Sequence, residues 1–214
     1  MTPVTRTTGS TGRLRPEKRT AIMTGAREVF ARDGYQRANV DAIAAAAGVS
    51  NRTLYKHFAD KTSLFTAVIT ESANQVADEE TLLIERLLSP VNIAEKVEPA
   101  LVSFATKWLT ETAQSTTDRA LIRQVGAEAR HLGASIVTMW WQAGPERVMA
   151  ALAATLRTWE EHGILRIEDP ERAAIHFAEL VSARPGPPGS PFPRRQQQIW
   201  IADGVAVFVR AYHR

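Results

Sequence analysis

The residues with the most chemistry to offer lie between Asn39 and Phe58, in the run NVDAIAAAAGVSNRTLYKHF. Read at about 100° per residue, Leu54 and Phe58 share one face of a short helix, and Arg52 and Lys56 each lie about 200° from Leu54, on the opposite face. Asn51 and Tyr55 flank one side of that outward face, and Thr53 and His57 flank the other. The outward strip is cationic and rich in hydrogen-bonding groups, and no acid interrupts it. Guanidinium, ammonium, amide and hydroxyl groups on one helix face suit base edges and phosphates in a DNA major groove. Arg52 and Lys56 are best placed for base edges, and Thr53, Tyr55 and His57 for the phosphates on the groove walls. Lys61 is a further phosphate candidate, from the first turn of the next helix, and Asn39 and Ser50, at the starts of the two short helices, complete the DNA-binding candidates.

Such a strip is useful only if something holds it. Asn39 is a good N-cap for a preceding helix, with Asp41 in its first turn and Val40, Ile43, Ala44 and Ala47 on its buried stripe. Ala44 to Ala47 are small enough for two short helices to cross closely. Gly48 supplies a left-handed turn, Val49 fills its inside, and Ser50 caps the helix that carries the strip. Two short helices joined by a tight glycine turn are the helix-turn-helix unit.

Charge agrees with this placement. Residues 1–65 carry eleven Lys/Arg and five Asp/Glu, whereas the remaining residues carry fifteen and eighteen. Excess positive charge in one third of the chain fits a nucleic-acid partner for that third. The 44% hydrophobic content excludes a disordered chain, and the absence of cysteine excludes disulfides and thiolate metal sites. No apolar run is long enough for a membrane span and no secretory signal is visible, so a cytoplasmic protein without membrane association is expected.

Helical periodicity runs through the rest. Ile22, Ala26, Val29 and Phe30 share a face before Gly34. Asp60 caps a long helix carrying Leu64, Phe65, Val68 and Ile69 to about Leu88. Further helices are predicted at about 92–114 (starting or kinking at Pro99), 118–131, 134–142, from Pro145 to Gly163, from Asp169 to about Ala183, and at about 194–212. Residues 184–193 hold five prolines and two glycines, which predicts an irregular loop. No strand alternation is found. The expected fold is all-α, with nine to ten helices: a basic arm over 1–15, a DNA-binding domain over 16–75, and a ligand-binding and dimerisation domain over 76–214. Phe104, Trp108, Met139, Trp140, Trp141 and Trp159, with Arg123 as a polar group, are candidates for a ligand pocket, although aromatics at helical spacing are more often core. Val148, Leu152 and Ile199 to Val209 form a candidate dimer surface. No catalytic motif, phosphate loop or metal-spaced histidine pair is present, so neither enzymatic activity nor a cofactor is expected.

The stretch GYQRANVDAIAAAAGVSNRTLYKHFADKTSLF resembles the DNA-binding signature of the TetR family of bacterial regulators: Gly-Tyr, a cap, Val-Asp-x-Ile-Ala, Ala-Gly-Val-Ser, Thr-Leu-Tyr-x-His-Phe and a following Lys. The likeness is close over residues 16–75. It departs at Asn51-Arg52, where the family more often has Lys and a small residue, which makes Arg52 a candidate determinant of operator choice. A looser similarity lies at Gly-Ile-Leu…Asp-Pro…Arg-Ala-Ala over 163–174. The resemblance implies a homodimer packed through its last two long helices as a four-helix bundle. It also implies a ligand cavity among the middle helices. A symmetric dimer in turn suits a palindromic double-stranded DNA operator, and a hydrophobic small-molecule effector that fits the cavity is expected to release the repressor. Two alternatives stay open: a helical small-molecule-binding or interaction protein without selective DNA binding, and an activator.

Overall fold

The computed structural model describes residues 14–109, 116–183 and 192–213. Among these the chain forms ten α-helices and two short 3-10 turns, with no strand. The helices are α1 (Leu14–Arg37), α2 (Val40–Ala46), α3 (Asn51–His57), α4 (Lys61–Leu87), α5 (Val97–Leu109), α6 (Thr116–Glu128), α7 (Ala134–Ala143), α8 (Pro145–Glu161), α9 (Pro170–Ser182) and α10 (Arg194–Tyr212). The all-α class and the helix number agree with the sequence reading. Most of the basic arm and residues 184–191 of the proline-rich segment lie outside the described residues.

The ends follow local chemistry. Asp169 accepts the Arg172 N–H at 2.8 Å and is followed by Pro170 in the first turn of α9. Asp60 and Ser63 cap α4 reciprocally, the Ser63 N–H donating to Asp60 Oδ1 at 2.7 Å and the Asp60 N–H to Ser63 Oγ at 3.1 Å. The predicted helix at 92–114 begins later. A 3-10 turn at Ala94–Lys96 precedes α5, so Pro99 falls in the first turn of that helix, where its missing N–H costs nothing. α1 continues past Gly34 to Arg37 after a backbone break at that glycine (φ 75°, ψ 169°).

The chain divides into two compact units: residues 1–72 with 117–140, and residues 73–116 with 141–214. The expected division near residue 75 places 117–140 in the C-terminal part. Packing groups them otherwise. In the first unit, Ile22, Ala26 and Phe30 of α1, Ile43 and Ala44 of α2, Leu54 of α3 and Phe65 and Ile69 of α4 form one core. Leu121 and Val125 of α6, Leu132, and Ile136 of α7 join it. Phe30 meets Phe65 edge-on with ring centroids 4.9 Å apart. Arg27 reinforces the assembly. Its Nε lies 2.8 Å from the buried carboxylate of Asp118 and 3.2 Å from Ser72 Oγ, and Nη2 lies 3.1 Å from Glu71.

The second unit packs α5, α8, α9 and α10 around Leu101, Phe104, Leu152, Trp159, Phe177 and Phe208. α10 approaches α9 closely at Gly204, where an added Cβ would lie 2.6 Å from the Leu180 carbonyl oxygen. The candidate dimer surface is therefore revised. Val148, Leu152, Val205 and Phe208 are buried within their own chain. The apolar side chains left outside on α9 and α10 are Ile175, Ile199, Trp200 and Val207. Helical spacing identifies an apolar stripe but not which neighbour covers it.

Candidate nucleic-acid interface

α3 is built from its caps and its anchors. Gly48 adopts φ 64°, the left-handed geometry that lets the chain turn sharply after α2. The Val49 N–H returns to the Ala44 carbonyl at 3.0 Å. Ser50 Oγ accepts the Thr53 N–H at 3.2 Å and pairs with the Thr53 hydroxyl at 3.0 Å. Leu54 is fully buried and Phe58 nearly so, each contributing about 1.5–3 kcal/mol to keeping this short helix in place. Arg19 of α1 stands over the outer face of Phe58 at 5.4 Å. A further requirement was not visible in the sequence. α1 passes so close to the end of α2 that a Cβ on Gly25 would lie 2.8 Å from the Ala47 backbone nitrogen.

With the helix held this way, Asn51, Arg52, Tyr55 and Lys56 are exposed, and Thr53 and His57 are half-buried at the margins. Tyr55 is 50% exposed, unusual for an aromatic residue and consistent with the outward position that its spacing predicts. The structure thus brings together the strip from Asn51 to His57, flanked by Ser50, with no acid in α3 itself and the Asp41 carboxylate of α2 against Asn51. Two members of the candidate set lie off this strip, the first in the capping role that its position predicts. Asn39 caps α2, its Oδ1 accepting the Asp41 N–H at 2.9 Å. The expectation for Lys61 is revised more strongly. Its ammonium turns onto the C-terminal end of α1, donating to the carbonyls of Ala38 at 3.0 Å and Gln36 at 3.3 Å, and it lies 4.8 Å from the centre of the Tyr35 ring. The partial negative charge of an α-helix C-terminus attracts a cation, and this one is half-buried there. Sequence spacing also gave no sign that the Asn51 amide is held by Asp41, across the turn. Asp60, at the start of α4, has its carboxyl held below the usual aspartate range, chiefly by the backbone N–H of Ser63 and then by the Ser63 hydroxyl.

The candidate ligand residues are distributed over both units. Phe104 is fully buried and stacks on Trp108 (5.5 Å) and Phe177 (6.0 Å), so it is core in the second unit. Trp108 is half-buried on that core. Trp140 packs against the core of the first unit, whereas Arg123, Met139 and Trp141 are exposed. Trp159 is buried and lines a groove of about 430 Å³ between α4 and α8, with Thr81, Ile84, Glu85, Thr155 and Thr158. Among the described residues no group of three or more His, Asp or Glu is placed to hold a metal ion, and no helix is long and apolar enough to cross a membrane.

Comparison with known proteins agrees with this geometry. Residues 22–68 match the description "Bacterial regulatory proteins, tetR family", and residues 99–214 match "AefR-like transcriptional repressor, C-terminal domain". The HTH-type transcriptional activator FasR of Mycolicibacterium smegmatis is 46% identical over 55 residues, which are 26% of this chain and span 25% of that relative's length. The crystal structure of a TetR-family regulator from Mesorhizobium loti superposes with a TM-score of 0.77 at 23% identity, covering 94% of this chain and 98% of that one. The flavonoid-responsive regulator FrrA superposes with a TM-score of 0.64 at 26% identity, over 92% and 98% of the two chains. The second of the family matches takes in more than half of the sequence, and the first coincides with the helices that position the exposed strip; the chain belongs to the TetR family of bacterial regulators and is a transcriptional regulator, not an enzyme.

Proposed function

We propose that the protein is a cytoplasmic repressor that binds a palindromic operator as a homodimer and leaves it when a hydrophobic small molecule binds. Each protomer lays α3 in the major groove, and the two heads read successive grooves about 34–36 Å apart. The observation that carries this reading is the outward strip of Asn51, Arg52, Tyr55 and Lys56, held from behind by Leu54 and Phe58. In this reading Arg52 and Lys56 face base edges, while Thr53, Tyr55 and His57 face phosphates.

Several features support the rest. Ile175, Ile199, Trp200 and Val207 give α9 and α10 an uncovered apolar face, the kind of surface a second copy of the chain would bury. The name of FrrA records a response to flavonoids, and an aromatic effector of that general character suits the aromatic-rich second unit. Release requires the effector to bind better to a state with low operator affinity, because only that difference couples the two events. The AefR-like match favours repression; the FasR match favours activation as the second reading, with the sign set by where the operator lies relative to the promoter.

A gel-shift assay with the DNA flanking the protein's own gene, at moderate salt, tests the core of the proposal. A sequence-selective shift by a dimer is expected, and equal retention of random DNA would defeat it. Arg52→Ala is expected to weaken selective binding by about 1–3 kcal/mol and relax base preference without lowering thermal stability.

A further inference from the structure

Asn51 sits at the first position of α3, and its side-chain Nδ2 donates to the Asp41 carboxylate in the first turn of α2. The backbone that carries Asp41 is itself fixed, because its N–H is held by the Asn39 side chain. Ionised carboxylates accept hydrogen bonds and cannot donate them, so the group facing Asp41 has to be the NH2 end of the amide. This settles the orientation of a side chain whose two ends are otherwise hard to tell apart. The carbonyl oxygen of Asn51 then lies at the other end. It accepts no hydrogen bond among the described residues, and Asn51 as a whole is exposed.

We infer that Asp41 fixes the Asn51 amide as a hydrogen-bond acceptor, so that Asn51 selects a base bearing an exocyclic amine, adenine or cytosine, at one position of each half-site. The reasoning rests on the reading above, in which α3 enters the major groove. In that groove adenine offers N6–H and cytosine N4–H as donors, whereas guanine presents O6 and N7 and thymine presents O4, all acceptors. An unrestrained asparagine can turn either end toward a base. One tethered to a carboxylate has spent one N–H and cannot exchange its ends, so its oxygen stays outward beside the remaining N–H; opposite guanine or thymine that oxygen finds no exocyclic amine, and a desolvated unpaired acceptor disfavours the complex. Asp41 acts here as a positioning residue.

Selection from a duplex pool with a randomised core, using the full chain as wild type, Asn51→Ala and Asp41→Asn, tests this. Affinities are then measured on the enriched duplex and its single-base variants. The wild type should prefer adenine or cytosine over guanine and thymine by about tenfold at one symmetric position. Asn51→Ala should flatten that position to within about twofold and leave the others as they were. Asp41→Asn keeps the volume but offers Asn51 either a donor or an acceptor, so it should admit guanine and thymine at the same position. It also carries the test if the alanine variant folds poorly, and thermal melting of all three proteins separates the two effects. An unchanged base profile in both variants, with affinity falling alike for every sequence, would mean that the pair only ties α2 to α3, and would overturn the inference while leaving the regulator reading intact. A wild type that enriches no sequence would overturn the regulator reading, and this inference with it.

Discussion

On α3 the groups with hydrogen-bonding chemistry stand in solvent and the apolar ones lie behind them, while on α5, α8 and α9 the large aromatic residues are themselves the core. Tyr55 is half exposed, whereas Phe104, Trp159 and Phe177 are sealed within the second unit. The contrast concerns what a helix repeat encodes. A convex site is the complement of a buried stripe, so the residues that hold α3 also identify, by their angle, those that face outward. A concave site is a gap in packing, and no periodic rule says where side chains leave one.

The comparison makes its strongest commitment at Phe104. Stacked between Trp108 and Phe177 with no exposed surface, it is a structural residue. Phe104→Ala is expected to lower stability by about 3–5 kcal/mol in chemical denaturation. A variant that unfolds at the wild-type denaturant concentration would mean that Phe104 borders open space, and the division between the two regions would break there.

Smaller effects are expected at two glycines, one in each unit. Alanine normally improves a helix by about 1 kcal/mol over glycine. At Gly25 and Gly204, however, the new methyl group would meet backbone atoms at 2.8 and 2.6 Å, and backbone cannot swing aside as a flexible side chain does. Each substitution should be a net loss of roughly 1–3 kcal/mol, with different consequences. Gly25→Ala should displace α2 from α1 and reduce DNA retention in a gel shift. Gly204→Ala should part α10 from α9 and promote dissociation of the proposed dimer, read by light scattering. If the consequences were exchanged, the assignment of tasks to the two units would be wrong.

Much of the first unit was legible because its signals are local. The Ser50 cap, the left-handed Gly48 and the Leu54/Phe58 anchors each act within a few residues of their own position. Contacts between segments remote in sequence were not legible. Leu121 and Val125 join the core of residues 22–69, and Arg27 reaches Asp118, but nothing in either segment names the other. The same limit applies to the second unit. Val148 and Leu152 read as an apolar stripe that could meet a second copy, and the intrachain packing of α8 buries them instead. Phe104 and Trp108 are four residues apart and so share a helix face, yet stacking Phe104 beside Phe177 requires α9, which begins more than sixty residues later.

Lys61 gives the finest test of the comparison, because it follows the exposed strip of α3 while its ammonium points into the protein. Two of the three ammonium donors reach the carbonyls at the end of α1, and the charge sits against the Tyr35 ring, whose hydroxyl in turn pairs with the Thr62 hydroxyl at 2.8 Å. A lysine that neutralised a phosphate would release a counterion on binding, and its loss would lower the dependence of affinity on salt by about one unit of slope. A lysine that clamps a helix end would leave that slope alone and cost about 1 kcal/mol of stability, the combined worth of a partly exposed charged hydrogen bond and its interaction with the helix dipole. Lys61→Met keeps most of the aliphatic stem and removes the charge. The structure favours lower thermal stability with an unchanged salt slope. A slope reduced by one at wild-type stability would return Lys61 to the phosphate-facing surface and extend the DNA-binding strip from α3 onto α4.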